Sequence, residues 1–191
     1  ELIVYPAGNR RSTYTVPGGV TEIGEYTFYG CSFLKNITIP KGVLKIGNGA
    51  FENCSVLEKV DLPDGLTTIG NFVDNYDYVS GGHSFSGCTN LKEVVIPDSV
   101  TSIARYTFSN CTSLSKVTLP KGLTQIGEGI FSGCSLLRSI TIPEGVQNIE
   151  PATFENCSSL VQINFPNGLI SIGEFNPKYP VTVINSEYLN P

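Results

Sequence analysis

One stretch of the chain, residues 34–57, reads LKNITIPKGVLKIGNGAFENCSVL and contains the signals that decide the fold. Its first part alternates apolar and polar residues around Ile37 and Ile39, which indicates a β-strand with one buried face. Pro40 and Gly42 then fit the second and fourth positions of a type I turn. The short apolar run that follows indicates a second extended segment. The residues up to the cysteine indicate about one helical turn.

The same pattern recurs along the chain with a period of 23 residues. The prolines that keep this period are Pro17, Pro40, Pro63, Pro97, Pro120, Pro143 and Pro166, and the cysteines are Cys31, Cys54, Cys88, Cys111, Cys134 and Cys157. Both series contain one interval of 34 residues, so an 11-residue insertion lies within 70–84. We therefore expect one domain over 1–191, with a shortened first unit over 1–16, repeats over about 17–173 and a C-terminal strand and tail over 174–191.

No single repeat could bury its own apolar residues, so the pattern predicts coils that stack into a solenoid. Equivalent leucines, isoleucines, phenylalanines and cysteines would then form continuous ladders in the core. The residue before each cysteine is always glycine or asparagine: Gly30, Asn53, Gly87, Asn110, Gly133 and Asn156. A position that accepts only these two residues is typical of a backbone with positive φ.

The unit Leu-x-x-Ile-x-Ile-Pro-x-Gly-Val-x-x-Ile-Gly-x-x-x-Phe-x-x-Cys-Ser-x-Leu resembles the BspA-like leucine-rich repeat and covers about residues 14–173. The resemblance implies an α/β repeat solenoid, a right-handed leucine-rich-repeat superhelix of mostly parallel β-structure with one short helical turn per coil. It also implies a secreted or surface-exposed bacterial protein that adheres to or binds other proteins. It supplies no catalytic residues to transfer.

The six cysteines are expected to be free thiols in the core. Stacked coils would bring their Cα atoms near disulfide distance, but parallel side chains leave the Cβ atoms too far apart. The sequence has no Cys-x-x-Cys pair and only one histidine, His83. We therefore expect neither a metal site nor a cofactor.

The polar strand positions form two rows on the open, concave face of the predicted sheet. Thr38, Asp61, Thr118 and Thr141 belong to one row. We take them as candidate binding residues because solenoids often bind through such a face. The alternative is a solvated, threonine-rich surface that β-propensity alone would favour.

The insertion is the second candidate site, because it breaks an otherwise strict period. Its candidate binding residues are Asp74, Tyr76, Asp77, Tyr78 and His83. Insertions in repeats map to loops on one face, often the binding face. The tyrosines are suited to stack on a sugar or to anchor a protein partner. The alternative is a surface loop that the fold merely tolerates.

Charge and composition argue against several classes of function. The formal net charge is −5 and the 12 basic residues are scattered singly, which disfavours nucleic acid and anionic membranes as partners. No apolar run reaches the ~18 residues of a membrane-spanning helix, so no membrane insertion is expected. A single histidine without a nucleophile motif argues against an enzyme.

We therefore expect a monomeric, non-catalytic module outside the cell or on its surface, binding a host or neighbouring-cell protein or glycan. Because the chain starts at Glu1 and contains no methionine, we expect that a signal peptide has been removed or trimmed. The alternative is a passive spacer that displays another domain of a longer precursor.

Overall fold

The computed structural model describes residues 5–71 and 81–173 and the backbone of one further strand at 182–184. These residues form stacked coils, each with two short strands and a turn segment. The strands are β1 (Thr13–Thr15), β2 (Glu22–Ile23), β3 (Asn36–Thr38), β4 (Lys45–Ile46), β5 (Lys59–Asp61), β6 (Thr68–Ile69), β7 (Glu93–Val95), β8 (Ser102–Ile103), β9 (Lys116–Thr118), β10 (Gln125–Ile126), β11 (Ser139–Thr141), β12 (Asn148–Ile149), β13 (Gln162–Asn164), β14 (Ser171–Ile172) and β15 (Thr182–Ile184).

The odd-numbered strands make the first side of the solenoid and the even-numbered strands make the second side. All the pairings are parallel and join equivalent positions of neighbouring coils. Ile37 pairs with Val60 on the first side, and Ile46 pairs with Ile69 on the second. Ile69 in turn pairs with Ile103, so the second-side sheet continues across the insertion. The predicted solenoid of parallel strands is confirmed.

The core consists of side-chain ladders that run along the solenoid. The phenylalanine ladder contains Phe28, Phe51, Phe85, Phe108, Phe131 and Phe154. Consecutive rings in this ladder are nearly parallel, with centroids 5.0 to 6.1 Å apart. All six are buried, and each ring stacks on the ring of at least one neighbouring coil.

The cysteines form a second ladder, and the prediction of free thiols is confirmed. From Cys54 onward, each Sγ–H donates to the carbonyl oxygen of the phenylalanine in the preceding coil, at 3.0 to 3.2 Å. Five of the six side chains are buried and Cys157 is half-buried. The thiols therefore act as small core residues that also satisfy a backbone acceptor.

The third side of each coil is not the predicted helical turn, because no helix forms there in the described residues. The backbone has positive φ at two places per coil, for example at Tyr26 (53°) and Asn53 (61°), which interrupts helical geometry. Alternate N–H groups then point along the solenoid. Those of Tyr26, Phe28 and Gly30 donate to carbonyl oxygens of the next coil at 2.7 to 2.9 Å. The third side is thus a further ladder between coils.

The sheet of the first side continues beyond the last full coil. β15 pairs with β13 in parallel, with Val183 opposite Ile163. This pairing lies where the sequence predicts a C-terminal strand.

Candidate ligand-binding site

The open face of the first-side sheet carries the rows of polar side chains that the sequence predicts. Thr38 and Asp61 are direct partners across β3 and β5. Thr118 and Thr141 occupy the equivalent positions on β9 and β11. All four side chains are exposed. The structure therefore divides the four candidates into two pairs at different places along the face.

This sheet is interrupted between β9 and β11, which lie side by side but share no ladder pairing in the described part of the chain. One coil earlier, the Ile96 N–H donates to the carbonyl oxygen of Thr118 at 3.0 Å. The equivalent bond from Leu119 to Thr141 does not form among the described residues. Leu119 is only 8% exposed. The Ile39 N–H likewise makes no bond to Asp61, although β3 and β5 are paired there, so the missing ladder pairing of β9 with β11 rather than this one bond marks the interruption.

A cleft of about 590 Å³ opens at this interruption, a volume within the usual range of small-ligand sites. We call it the β9–β11 cleft. Val117 in its floor is half-buried, whereas the equivalent Ile37 is 5% exposed. Its lining residues are Ser115, Lys116, Val117, Thr118, Leu119, Lys121, Ser139, Ile140, Thr141, Ile142, Pro143 and Glu144.

The lining of the β9–β11 cleft is polar and carries both signs of charge. Hydroxyl groups, including those of Thr118 and Thr141, can donate and accept hydrogen bonds. Lys116 and Lys121 contribute two positive charges against the single negative charge of Glu144. The ion pair of Lys121 with Asp98 is 3.8 Å long, and the lysine side chain is 90% exposed, so this pair holds the ammonium group only weakly.

A smaller cleft of about 150 Å³ lies where β5 meets β7, a second interruption of the same sheet. Asp61 lines it and forms an ion pair with Lys59 at 2.9 Å. The hydrogen bond to Asp61 and its charge raise the pKa of Lys59 above the usual value, with a lesser contribution from Glu93. Val95, also in the lining, is 58% exposed. This cleft is small, and the ion pair of Lys59 with Asp61 already engages its only cation.

Four of the five candidates in the insertion lie outside the described residues: Asp74, Tyr76, Asp77 and Tyr78. The two ends of the insertion are described, and a single buried side chain holds them together. Asn48 is 3% exposed, and its Oδ1 accepts hydrogen bonds from the N–H groups of Asn71 (2.7 Å) and Gly82 (2.9 Å). Its Nδ2 donates to Oε1 of Glu25 at 3.0 Å.

His83 belongs to the regular third-side ladder, which corrects its assignment to the insertion. Its N–H donates to the carbonyl oxygen of Arg105 at 3.1 Å, as the equivalent Tyr26 does to Asn48. The His83 ring stacks on Tyr106 with centroids 5.3 Å apart. This contact accounts for the half-buried state of the ring.

Sequence reasoning missed Asn48, because its position varies among the repeats and no spacing marks it. Its equivalents are Glu25, Gly82, Arg105, Glu128 and Pro151. The one usable signal is its place in the coil directly before the insertion, where a side chain can reach both ends of the extra segment.

The thiols are poor candidates for chemistry. Burial raises the pKa of Cys111 to about 12, and burial likewise raises that of Cys157 to about 12. A thiol of that pKa carries almost no thiolate near neutral pH and is unreactive. Within the described ranges, no three His, Cys, Asp or Glu side chains are grouped to hold a metal ion. The described residues also contain no helix that is long and apolar enough to cross a membrane.

The family model of the BspA type leucine rich repeat region matches residues 8–76 and 81–178 of the chain, in six copies. No curated protein sequence matches the chain. Three solved structures share its fold. A leucine-rich repeat protein from Bacteroides ovatus is 36% identical, with a TM-score of 0.77 over 86% of this chain and 40% of that one. The leucine rich repeat protein of T. pallidum is 34% identical, with a TM-score of 0.75 over 86% and 74%.

The third structure, a leucine-rich repeat protein from Eubacterium ventriosum, is 24% identical and supports the fold alone, with a TM-score of 0.58 over 90% and 43% of the two chains. The chain spans 40% of the length of the Bacteroides ovatus protein. The family match covers most of the sequence, and its repeats coincide with the coils of the structure. The chain therefore belongs to the BspA-type leucine-rich repeat family.

Proposed function

We propose that this chain is a non-catalytic binding module of a bacterial surface or secreted protein, and that it binds its partner in the β9–β11 cleft. The partner is a protein or glycan of a host or of a neighbouring cell. One observation carries the proposal, namely that the strand ladder is open where the face forms a cleft of about 590 Å³. The setting outside the cell follows from the resemblance of the repeat to surface-exposed and secreted proteins.

The chemistry of the cleft supports binding of a polar partner. Its hydroxyl groups offer donors and acceptors, and Leu119, whose N–H donates to no backbone carbonyl among the described residues, is part of its lining. A partner that accepts a hydrogen bond from this amide would satisfy a group that otherwise costs about 1–3 kcal/mol to leave unpaired.

The non-catalytic part of the proposal rests on the state of the reactive groups. Five of the six thiols are buried, and the His83 ring is stacked on Tyr106 in the third-side ladder. Catalysis needs a nucleophile and a base within hydrogen-bond distance of each other. From Cys54 onward the thiols donate to phenylalanine carbonyl oxygens and not to a base, which supports a non-catalytic module.

The test is binding of the purified chain to an immobilised panel of extracellular-matrix proteins and glycans, compared between two matched variants. Thr118→Arg adds a long charged side chain inside the cleft. Thr38→Arg adds the same side chain at the equivalent position of β3, where the sheet is paired on both sides. Each threonine accepts one N–H on its carbonyl oxygen at 3.0 Å, so the two changes perturb the backbone alike.

We expect saturable binding to at least one partner, weakened tenfold or more by Thr118→Arg and unchanged by Thr38→Arg. Equal binding by both variants and the parent would contradict a site in the cleft. A third variant lacking residues 71–81 covers the candidates Tyr76 and Tyr78; loss of binding in that variant alone would move the site to the insertion. No binding to any member of the panel would favour a passive spacer.

A further inference from the structure

The first coil exposes an aromatic pair that no later coil repeats. Tyr26 and Tyr29 are 48% and 47% exposed, and their ring centroids are 6.0 Å apart at an interplanar angle of 70°. In later coils the position of Tyr26 holds Gly49, His83, Tyr106, Gly129 and Ala152, and that of Tyr29 holds Glu52, Ser86, Ser109, Ser132 and Glu155. The repeat itself therefore does not require two tyrosines here.

The backbone at Tyr26 has the positive φ that this position has in all six described coils. Its φ is 53°, a region that bulky residues seldom adopt and that strains the chain. Tyr106 has a similar φ of 52°, but its hydroxyl donates to Oε1 of Glu128 at 2.6 Å, which gives the residue a structural role. The Tyr26 hydroxyl has no hydrogen-bond partner among the described residues. Among the described residues, the unpaired hydroxyl and not the backbone therefore distinguishes Tyr26 from Tyr106.

Two carboxylates flank this aromatic pair. The Tyr26 ring fills the space above Gly49, where a side chain would begin, and Oε2 of Glu52 is 3.1 Å from the same point. Burial raises the pKa of Tyr26, and the nearby charges of Glu52 and Glu25 raise it further. Glu52 is itself half-buried beside the rings. An aromatic surface is thus bordered by negative acceptors.

Glu25 is held in position by two amide side chains. Its Oε1 accepts hydrogen bonds from Nδ2 of Asn48 at 3.0 Å and from Nδ2 of Asn71 at 3.3 Å. Asn48 in turn is fixed by the N–H groups at the two ends of the insertion. A carboxylate oriented in this way is preorganised, which lowers the entropy cost of binding.

We propose that Tyr26, Tyr29, Glu25 and Glu52 form a binding site for a neutral oligosaccharide. The C–H faces of a sugar ring pack on aromatic rings, and sugar hydroxyls donate to carboxylate oxygens. Such charge-assisted hydrogen bonds are stronger than neutral ones. The two carboxylates repel sulfated or uronic sugars, so the site selects neutral glycans. It lies on the third side of the solenoid and goes beyond the binding proposed for the β9–β11 cleft on the first side.

The test is titration calorimetry of the whole chain with maltohexaose, cellohexaose and chitohexaose as neutral probes and a heparin hexasaccharide as an acidic one. Tyr29→Ser introduces the residue that stands at this position in three later coils. Tyr26→Gly introduces the residue at positions 49 and 129, which suits the positive φ. Tyr106→Gly makes the same change at a site that lacks a second tyrosine, and serves as the matched control. Circular dichroism verifies the fold of each variant.

We expect at least one neutral hexasaccharide to bind and the heparin fragment not to bind. Affinity should fall at least tenfold in Tyr29→Ser and in Tyr26→Gly, and should be unchanged in Tyr106→Gly. A loss of affinity in Thr118→Arg with no loss in the two tyrosine variants would place the sugar in the β9–β11 cleft and overturn this site without touching the proposed function. The proposal is overturned if no neutral probe binds the parent, if heparin binds as well as the neutral probes, or if both tyrosine variants keep the parent's affinity.

Discussion

Gly133 shows how a single residue fixes the shape of a coil. Its φ is 76°, and a Cβ added to it would lie 2.5 Å from Oδ1 of Asn110, the residue at the equivalent position one coil earlier. Both the left-handed backbone and the close approach of the preceding coil therefore disfavour a branched side chain at this point.

We predict that Gly133→Val lowers the free energy of unfolding by about 2–3 kcal/mol, because valine resists positive φ and collides with Asn110. Thermal unfolding followed by circular dichroism measures this loss. Gly122→Val is the matched control, since its φ is not positive and its added Cβ would lie 3.8 Å from the nearest atom. Equal melting temperatures for the two variants would show that the turn is misread.

The buried thiols predict a loss of stability in alkali. Burial raises the pKa of Cys111 from 9.0 in the unfolded chain to about 12. A raised pKa means that the stabilisation is fully present below pH 9 and is lost as the pH rises towards 12, because the unfolded chain releases its proton first. Each such thiol contributes a slope of up to about 1.4 kcal/mol per pH unit in that window.

Urea unfolding of the parent and of Cys111→Ala between pH 8 and 11 tests this prediction. Cys111→Ala is less stable at pH 8 because it leaves a cavity. Above pH 9, the free energy of unfolding of Cys111→Ala should fall less steeply with pH than that of the parent. The difference in stability between the two proteins should therefore shrink as the pH rises. A constant difference in stability across this pH range would mean that Cys111 ionises as readily in the folded protein as in the unfolded chain.

At the scale of the elements, the strands were predictable and the third side was not. Alternation around Ile37 and Ile39 suffices to place a strand, because one buried face is a local property of the sequence. The helical turn was a wrong prediction because only one of the two positive-φ positions is marked by glycine or asparagine. The other position also holds glycine, but in four coils it holds Tyr26, His83, Tyr106 and Ala152. Its left-handed backbone turns the N–H groups towards the next coil.

The hydrogen bonds at the ends of the insertion predict that the solenoid folds without it. Gly70 is joined to the preceding coil, and Gly82 takes the position that Asn48 has one coil earlier. Deleting residues 71–81 should therefore restore the 23-residue period and change the melting temperature by no more than about 3 °C, because the loop adds little closure cost. Deleting residues 105–115, also eleven residues but across Phe108 and Cys111, should abolish cooperative melting. Similar melting of both deletions would contradict this assignment of the insertion.

At the scale of the whole molecule, a solenoid is stabilised by contacts between neighbouring coils only. The repeat period therefore predicted the architecture, the ladders and the two rows of polar residues on the open face. It did not predict the interruptions of the sheet. Val117-Thr118-Leu119 has the same local pattern as Ile37-Thr38-Ile39, yet only the former borders the β9–β11 cleft. How far two coils separate depends on the packing of both, which no single repeat encodes.

The same limit applies to the candidate site. Thr118 and Thr141 were predicted as candidates among a row of equivalent residues. Only the three-dimensional structure shows that they share a cleft. The contribution of Tyr76 and Tyr78 stays a prediction, to be read from the deletion variant in the binding panel.

Amide hydrogen exchange of the free chain, resolved by NMR, tests the central claim most directly. The N–H groups of Ile96 and Ile142 donate to the next coil at 3.0 and 2.9 Å, whereas that of Leu119 does not. We predict that the Leu119 amide exchanges at least about tenfold faster than the other two, because it lacks a ladder hydrogen bond worth about 1 kcal/mol or more. Equal protection of all three amides would mean that the sheet is closed between β9 and β11, and would contradict a binding cleft there.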